Sequence, residues 1–236
     1  MGRRAIWLEI EATLREEIAS GHYRPGDKLP TEAEQARRFG VNRHTVRRAL
    51  AALQEAGVVH ARRGAGVFLT SEPTTYPLTS RTRFHANLAA GGHVAEHRVL
   101  RLDTRRCDAR EADLLGLEPG ADVHVREGVG LSDGLPVTLY TSLFPADILP
   151  GLTEYLGELA SVTKALNAAG VADYTRAWTR ISAERASSTQ SGHLQCPEGA
   201  ALLRATSLNI DGSGRPVEYG DTCFVGDRIE LVVEAS

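Results

Sequence analysis

Apolar positions in the first 70 residues recur with helical periods. Ile6, Ile10, Leu14 and Ile18 repeat every fourth residue beside Trp7, and Gly21 stops the run, which predicts an amphipathic helix burying this stripe. Tyr23-Arg-Pro-Gly-Asp-Lys-Leu-Pro30 reads as a turn-rich connection, because proline fixes φ and glycine supplies turn conformations. Two short helical patterns follow. Thr31 with Glu34 is a capping-box start, Gly40 ends the first helix, Asn42 is placed to cap the second, and Gly57 stops it. In the second helix Val46, Ala49, Leu50 and Leu53 fall at i, i+3, i+4 and i+7 and form the stripe to be buried. Arg43, His44 and Arg47 lie at its N-terminal end, mostly off that stripe. This is the pattern of a helix-turn-helix with its recognition helix.

Val58 to Thr70 carries two strand-like apolar ends around Arg62-Arg63-Gly64-Ala65-Gly66, a β-hairpin with a basic, glycine-bearing tip. Such a tip is either a solvated turn or, following a recognition helix, a wing whose arginines and amides contact phosphates or the minor groove.

Residues 71–80, Ser71-Glu-Pro-Thr-Thr-Tyr-Pro-Leu-Thr-Ser80, have no usable periodicity and are expected to be a linker. Beyond them the pattern changes. Phe84, Leu88 and Ala89 suggest a short helix ended by Gly91-Gly92, and Val94 to Leu102 reads as a strand. Ala109 to Gly116 is a short helix, and Asp122 to Leu131 and Pro136 to Phe144 flank the hairpin signal Ser132-Asp133-Gly134. Ser161 to Ala169 is helical. Tyr174 to Ala183 alternates, with Tyr174, Arg176, Trp178 and Arg180 expected on one side. Ser187 to Leu194 is a further short helix, and strands are expected near 200–210, 215–225 and 227–234. Strands joined mostly by hairpins, with a few short helices, make the fold class α+β with an antiparallel sheet.

Length and charge sharpen the division. The 236 residues suit one small and one medium domain: 1–70 for DNA binding, 71–80 as linker and 81–236 as a second domain. Residues 1–70 hold 12 Lys and Arg against 8 Asp and Glu, whereas 71–236 hold 15 against 22, so the basic part is the part with the helix-turn-helix. No apolar run approaches a membrane span, and the opening Met-Gly-Arg-Arg-Ala-Ile-Trp-Leu-Glu lacks the apolar core of a secretory signal, so a cytoplasmic location is expected. Cys107, Cys196 and Cys223 are far apart and read as reduced and structural.

Candidate chemistry in the second domain is sparse. Arg126 falls within the apolar alternation Val123, Val125, Val129, where a charge needs a partner, either a ligand anion or an internal carboxylate such as Glu218. Glu218 and Tyr219 either read an amino group or satisfy Arg126. Arg81 and Arg83, beside the linker, suit an effector role or interdomain ion pairs equally. His85, His93, His97 and His124 show no metal-ligand spacing, and neither a metal nor a cofactor is expected.

Taken together, Pro25-Gly-Asp-Lys-Leu-Pro-Thr-Glu32, Val41-Asn-Arg-His-Thr-Val-Arg-Arg-Ala-Leu50 and Gly64-Ala-Gly66 resemble the winged helix-turn-helix of GntR-type bacterial regulators. The second domain resembles the effector domain of the HutC branch, an antiparallel sheet with helices similar to chorismate lyase and often called UTRA. Within that branch, Tyr76 to Leu88 and Thr179 to Ala186 look most like the repressors of phosphonate-utilisation operons. The resemblance implies a homodimer that binds a palindromic operator and responds to a small anionic effector, a phosphonate or phosphate ester. It implies DNA contacts from Arg43, His44, Thr45 and Arg47, with Arg63 and Gly64 at the wing, and effector contacts from Ser80, Arg81, Arg126 and Ser161; the residues themselves add Arg62 to the DNA candidates and Arg83, Tyr140 and Glu218 to the effector candidates. Two departures stand out: sugar-phosphate-sensing relatives often have Arg-x-Arg where this chain has Arg126-Glu127-Gly128, and an acidic residue near Tyr140.

Three function classes compete: a ligand-responsive repressor, a chorismate-lyase-like enzyme with a DNA anchor, and an architectural DNA binder. The chain shows no nucleophile-base pair, no paired carboxylates at telling spacing and no phosphate-cradling glycine loop, which speaks against an enzyme. A separate domain of about 150 residues exceeds what DNA binding alone needs, which speaks against an architectural role.

Overall fold

The computed structural model describes residues 5–23, 26–62, 66–70, 73–81, 83–159 and 161–234, with Arg62 by its backbone alone, and the chain divides into two compact units, Met1–Glu72 and Pro73–Ser236.

The first unit has helices α1 (Ile6–Ala19), α2 (Glu32–Phe39) and α3 (Arg43–Glu55) and strands β1 (Val59–Arg62) and β2 (Gly66–Leu69), paired antiparallel. The expected caps form. Thr31 and Glu34 make a reciprocal capping box on α2, Gly40 ends that helix at φ 64°, and the Asn42 side chain accepts from the Thr45 amide at 2.9 Å. Ile10 and Leu14 of α1 join Leu29, Val46, Ala49, Leu50, Leu53, Val59 and Leu69 in one core. Ile6, expected in the same stripe, is instead 51% exposed, as the first residue of α1.

The second unit is built on a six-stranded antiparallel sheet in the order β4-β5-β6-β9-β8-β7. Its strands are β4 (Ala95–Arg106), β5 (Asp122–Ser132), β6 (Leu135–Pro145), β7 (Tyr174–Arg185), β8 (Ala201–Asp211) and β9 (Pro216–Val225). The helices are α4 (Phe84–Ala90), α5 (Ala109–Leu115), α6 (Leu152–Glu158), α7 (Val162–Ala168) and α8 (Ser188–Leu194). Asp133 and Gly134, both at positive φ, turn β5 into β6.

Three details differ from the expectation. Residues 71–80 are not all linker, because Thr74–Pro77 form strand β3, which pairs in parallel with β10 (Ile229–Val232). Tyr76 is the reason: it is buried against Phe224 and Ile229, and that burial orders a stretch whose composition reads as coil. The last strand therefore leaves the antiparallel sheet. Helix α6 has no clear cap signal and begins after Gly151 at φ 75°; it is held by Leu152 and Leu156, which pack with Phe144, Leu166 and Val217. Finally, a bulge between Arg176 and Trp178 breaks the alternation of β7. Arg176 pairs with Asn209 and Trp178 with Leu208, so the two side chains lie on opposite faces and not on one.

Candidate functional site

On α3 the buried stripe and the cationic end separate as the periodicity requires. Val46 and Ala49 are fully buried, while Arg43, His44 and Arg47 are exposed. Their neighbourhoods differ. Arg43 has no hydrogen-bond or ion-pair partner among the described residues. Arg47 is held by Glu32 of α2 through two bonds, Nε to Oε1 at 2.8 Å and Nη2 to Oε2 at 2.7 Å, and this guanidinium keeps the Glu32 carboxyl below its usual range. The Thr45 hydroxyl is committed to Asn42 at 3.0 Å, where it helps cap the helix. Arg62 extends β1 toward the hairpin tip; its side chain, Arg63 and Gly64 lie outside the described residues.

In the second unit, strand alternation gathers a polar stripe on one face of the sheet. Arg126 pairs in register with Ser142, Gly128 with Tyr140, Tyr140 with Thr222, Ser142 with Gly220, Asn209 with Glu218, and Arg176 with Asn209. Partners in register share a face, so these side chains line one cleft. Val123, Val125 and Val129 occupy the other face of β5, and Arg126 alternates with them rather than sitting among them. His97 of β4, Phe84 and His85 of α4, and Ser161 and Thr163 at the start of α7 close its sides. The cleft's volume is about 140 Å³.

The polar groups in this cleft are unevenly satisfied. Arg126 is 1% exposed, its guanidinium lies 5.2 Å from the Tyr140 ring, and no carboxylate among the described residues pairs with it. Its Nε, the Tyr140 hydroxyl and the His97 Nδ1 are all buried without a hydrogen-bond partner. Burial, reinforced by the positive charge of Arg126 and by His85, pushes the His97 imidazole down to about 3, so it is neutral at physiological pH. Burial also raises the Tyr140 phenol, against the pull of Arg126. Glu218 accepts from Ser142 Oγ and from Asn209 Nδ2, each at 2.8 Å. Arg176 Nε donates to the other end of the same amide, Asn209 Oδ1, at 2.9 Å.

Arg83, Arg126, Tyr140, Ser161 and Glu218 thus meet at one cleft. Ser80 and Arg81 do not. The Ser80 carbonyl accepts from the Arg176 amide at 2.8 Å, and Arg81 is an exposed residue ion-paired with Asp173, which already supplies the counter-charge an effector anion would. Arg83 lies on the Tyr174 ring at 4.0 Å, donates to Thr163 at 3.2 Å and stands 3.7 Å from Asp173. Tyr219, considered beside Glu218, faces the opposite side and packs near Trp178.

Several cleft residues escaped sequence reasoning: His97, Ser142, Thr163, Tyr174, Arg176, Ser207 and Asn209. One signal was available, since Ser207 and Asn209 are polar residues two apart, and so on one face of the strand, flanking the apolar Leu208. No group of three or more metal-ligating side chains occurs among the described residues, and none of their helices is long and apolar enough to cross a membrane.

Comparison with known proteins agrees with both units. Residues 7–69 match the family model for bacterial regulatory proteins of the gntR family, and residues 90–230 match that for the UTRA domain. An "Uncharacterized HTH-type transcriptional regulator" of Rhizobium meliloti (strain 1021) is 38% identical over 98% of this chain and 95% of its own length. The "Probable transcriptional regulator PhnF" of Escherichia coli (strain K12) is 36% identical over 97% of this chain and 94% of its own. Among solved structures, PhnF from Mycobacterium smegmatis superposes with a TM-score of 0.67 at 27% identity, covering 96% of this chain and 99% of that one.

Proposed function

The chain belongs to the GntR family of bacterial regulatory proteins and carries a UTRA domain, and from that premise we propose that it is a repressor released or tightened on its operator by a small phosphonate or phosphate ester. It acts as a homodimer on a palindrome whose half-site centres lie about one helical turn apart, as two-fold helix-turn-helix proteins require. Arg43 and His44 meet base edges and phosphates directly, and Arg47 joins them by leaving Glu32. The wing tip, with Arg62, Arg63 and Gly64, adds phosphate or minor-groove contacts.

The observation that carries the effector reading is the convergence of three buried, unpartnered polar atoms, Arg126 Nε, Tyr140 Oη and His97 Nδ1, in one cleft. Buried polar groups are nearly always hydrogen-bonded, and an unpaired buried guanidinium is costly, so this cluster suits an anion with several acceptor oxygens. Arginine meets phosphoryl oxygens bidentately, and the hydroxyls of Tyr140, Ser161 and Thr163 add neutral donors. The cleft's volume of about 140 Å³ has room for a compact phosphonate.

Thermal melting with methylphosphonate, 2-aminoethylphosphonate, inorganic phosphate and glucosamine 6-phosphate tests this. A small phosphonate should raise the melting temperature of the parent and leave that of Arg126→Ala unchanged. Stabilisation by glucosamine 6-phosphate alone, or equal responses from parent and variant, would overturn it.

A further inference from the structure

Besides the arginines Arg126 and Arg176, the cleft holds a carboxylate that has no ionic partner among the described residues. Glu218 forms no ion pair with any described residue; each of its oxygens accepts a single hydrogen bond, from the neutral donors Ser142 and Asn209. A carboxylate has about four lone-pair sites, so two acceptor positions remain. Ser142 stands between the opposite charges: it is the cross-strand partner of Arg126 and donates to Glu218. With β6 lying between β5 and β9, Arg126 and Glu218 are two strands and two register positions apart, roughly 12 Å between their backbones. Asn209 interposes in the same way on the other side, its oxygen taking Arg176 and its nitrogen giving to Glu218.

Both charges line one cleft, yet the fold holds them apart with neutral amides and hydroxyls. We propose that the effector is a zwitterion, a short molecule carrying a phosphonate or phosphate at one end and an ammonium group at the other, with Arg126 taking the anion and Glu218 the cation. This rests on the phosphonate reading above and adds the second charge to it. A ligand with an anion alone satisfies Arg126 but leaves Glu218 desolvated against an alkyl group. A ligand with both ends matched supplies the missing partner at each. Ser142 and Asn209 are positioning residues, since each fixes one carboxylate oxygen and leaves the remaining acceptor sites toward the cleft.

The test compares 2-aminoethylphosphonate with propylphosphonate, which puts a methyl group where the ammonium stands, by calorimetric titration into the full-length parent and Glu218→Gln. The parent should bind the aminophosphonate at least about tenfold more tightly, the ratio expected of a charge-assisted hydrogen bond. In Glu218→Gln that preference should vanish while propylphosphonate binds as before. The parent comparison stands whether or not the variant folds. Equal affinity of the parent for both ligands, or a preference that survives in Glu218→Gln, would overturn the zwitterion while leaving the phosphonate reading intact. Binding of neither ligand to the parent would overturn both.

Discussion

A β-carbon on Gly128 would stand 2.5 Å from the hydroxyl of Tyr140, its cross-strand partner, and 2.6 Å from the Arg98 carbonyl oxygen. Both distances are below any real contact, so the tyrosine ring and the bare glycine are one feature. Gly128 and Tyr140 therefore face each other across one register position. A large neutral ring fills the space that a side chain at position 128 would occupy, and it narrows the cleft beside Arg126.

Gly128→Ala should accordingly lower stability by about 1–3 kcal/mol, the usual result of overpacking, because the Arg98 backbone cannot yield as a flexible side chain does. Denaturant unfolding of the second unit measures this. An unchanged midpoint would show that β4 and Tyr140 move aside freely.

The Arg47 to Glu32 pair makes a prediction opposite in sign to ordinary charge removal. It is exposed, so breaking it should change stability little. Glu32→Gln frees Arg47 for phosphate, so DNA affinity should rise and the logarithmic salt slope should steepen by about one. Arg43→Ala should instead cost about 1–3 kcal/mol of operator discrimination. Fluorescence anisotropy at several salt concentrations checks both, and weaker binding by Glu32→Gln would mean that the ion pair persists in the complex.

Leu50 is 5% exposed in the core of the first unit. Leu50→Ala should cost about 2–5 kcal/mol through the cavity it leaves, and DNA binding should fail by unfolding. Circular dichroism melting that matched the parent would contradict the assignment of faces on α3.

The first unit was almost wholly legible in the sequence, because caps and stripes are local: Thr31, Gly40, Asn42 and the Val46 to Leu53 stripe act within a few residues. The cleft was legible only where a residue was odd for its place. Arg126 announced itself as a charge in an apolar strand, whereas Arg176 was read on the same side as Trp178 because the bulge between them depends on pairing with β8. Strand β3 was missed for the same reason, since Tyr76 is ordered by Phe224 and Ile229, about 150 residues away. Arg81 looked equivalent to Arg83 in the chain. Their contacts separate them: both reach Asp173, but Arg83 also lies on the Tyr174 ring and bonds Thr163 in the cleft, while Arg81 is exposed.

His97 gives the second unit an acid sensitivity. Its folded imidazole stays neutral down to about 3, whereas the unfolded chain takes up a proton near 6.5. The native state therefore binds fewer protons in that window, and stability is fully present above pH 6.5 and declines as the pH falls toward 3, by at most about 1.4 kcal/mol per pH unit. His97→Asn should flatten this decline between pH 7 and 5. An equally steep decline in the variant would assign it to other groups.

Coupling between the cleft and the operator is the centre of the account. The measurement is operator affinity with and without saturating 2-aminoethylphosphonate, for the parent and for Arg126→Ala. Linkage requires that a ligand favouring one state shift DNA affinity by the same factor with which DNA shifts the ligand, typically about 1–3 kcal/mol. The parent should change its operator affinity by roughly 5- to 150-fold, and Arg126→Ala should bind operator as the parent does while ignoring the ligand. An unchanged operator affinity in the parent, or an unaltered response in Arg126→Ala, would contradict it.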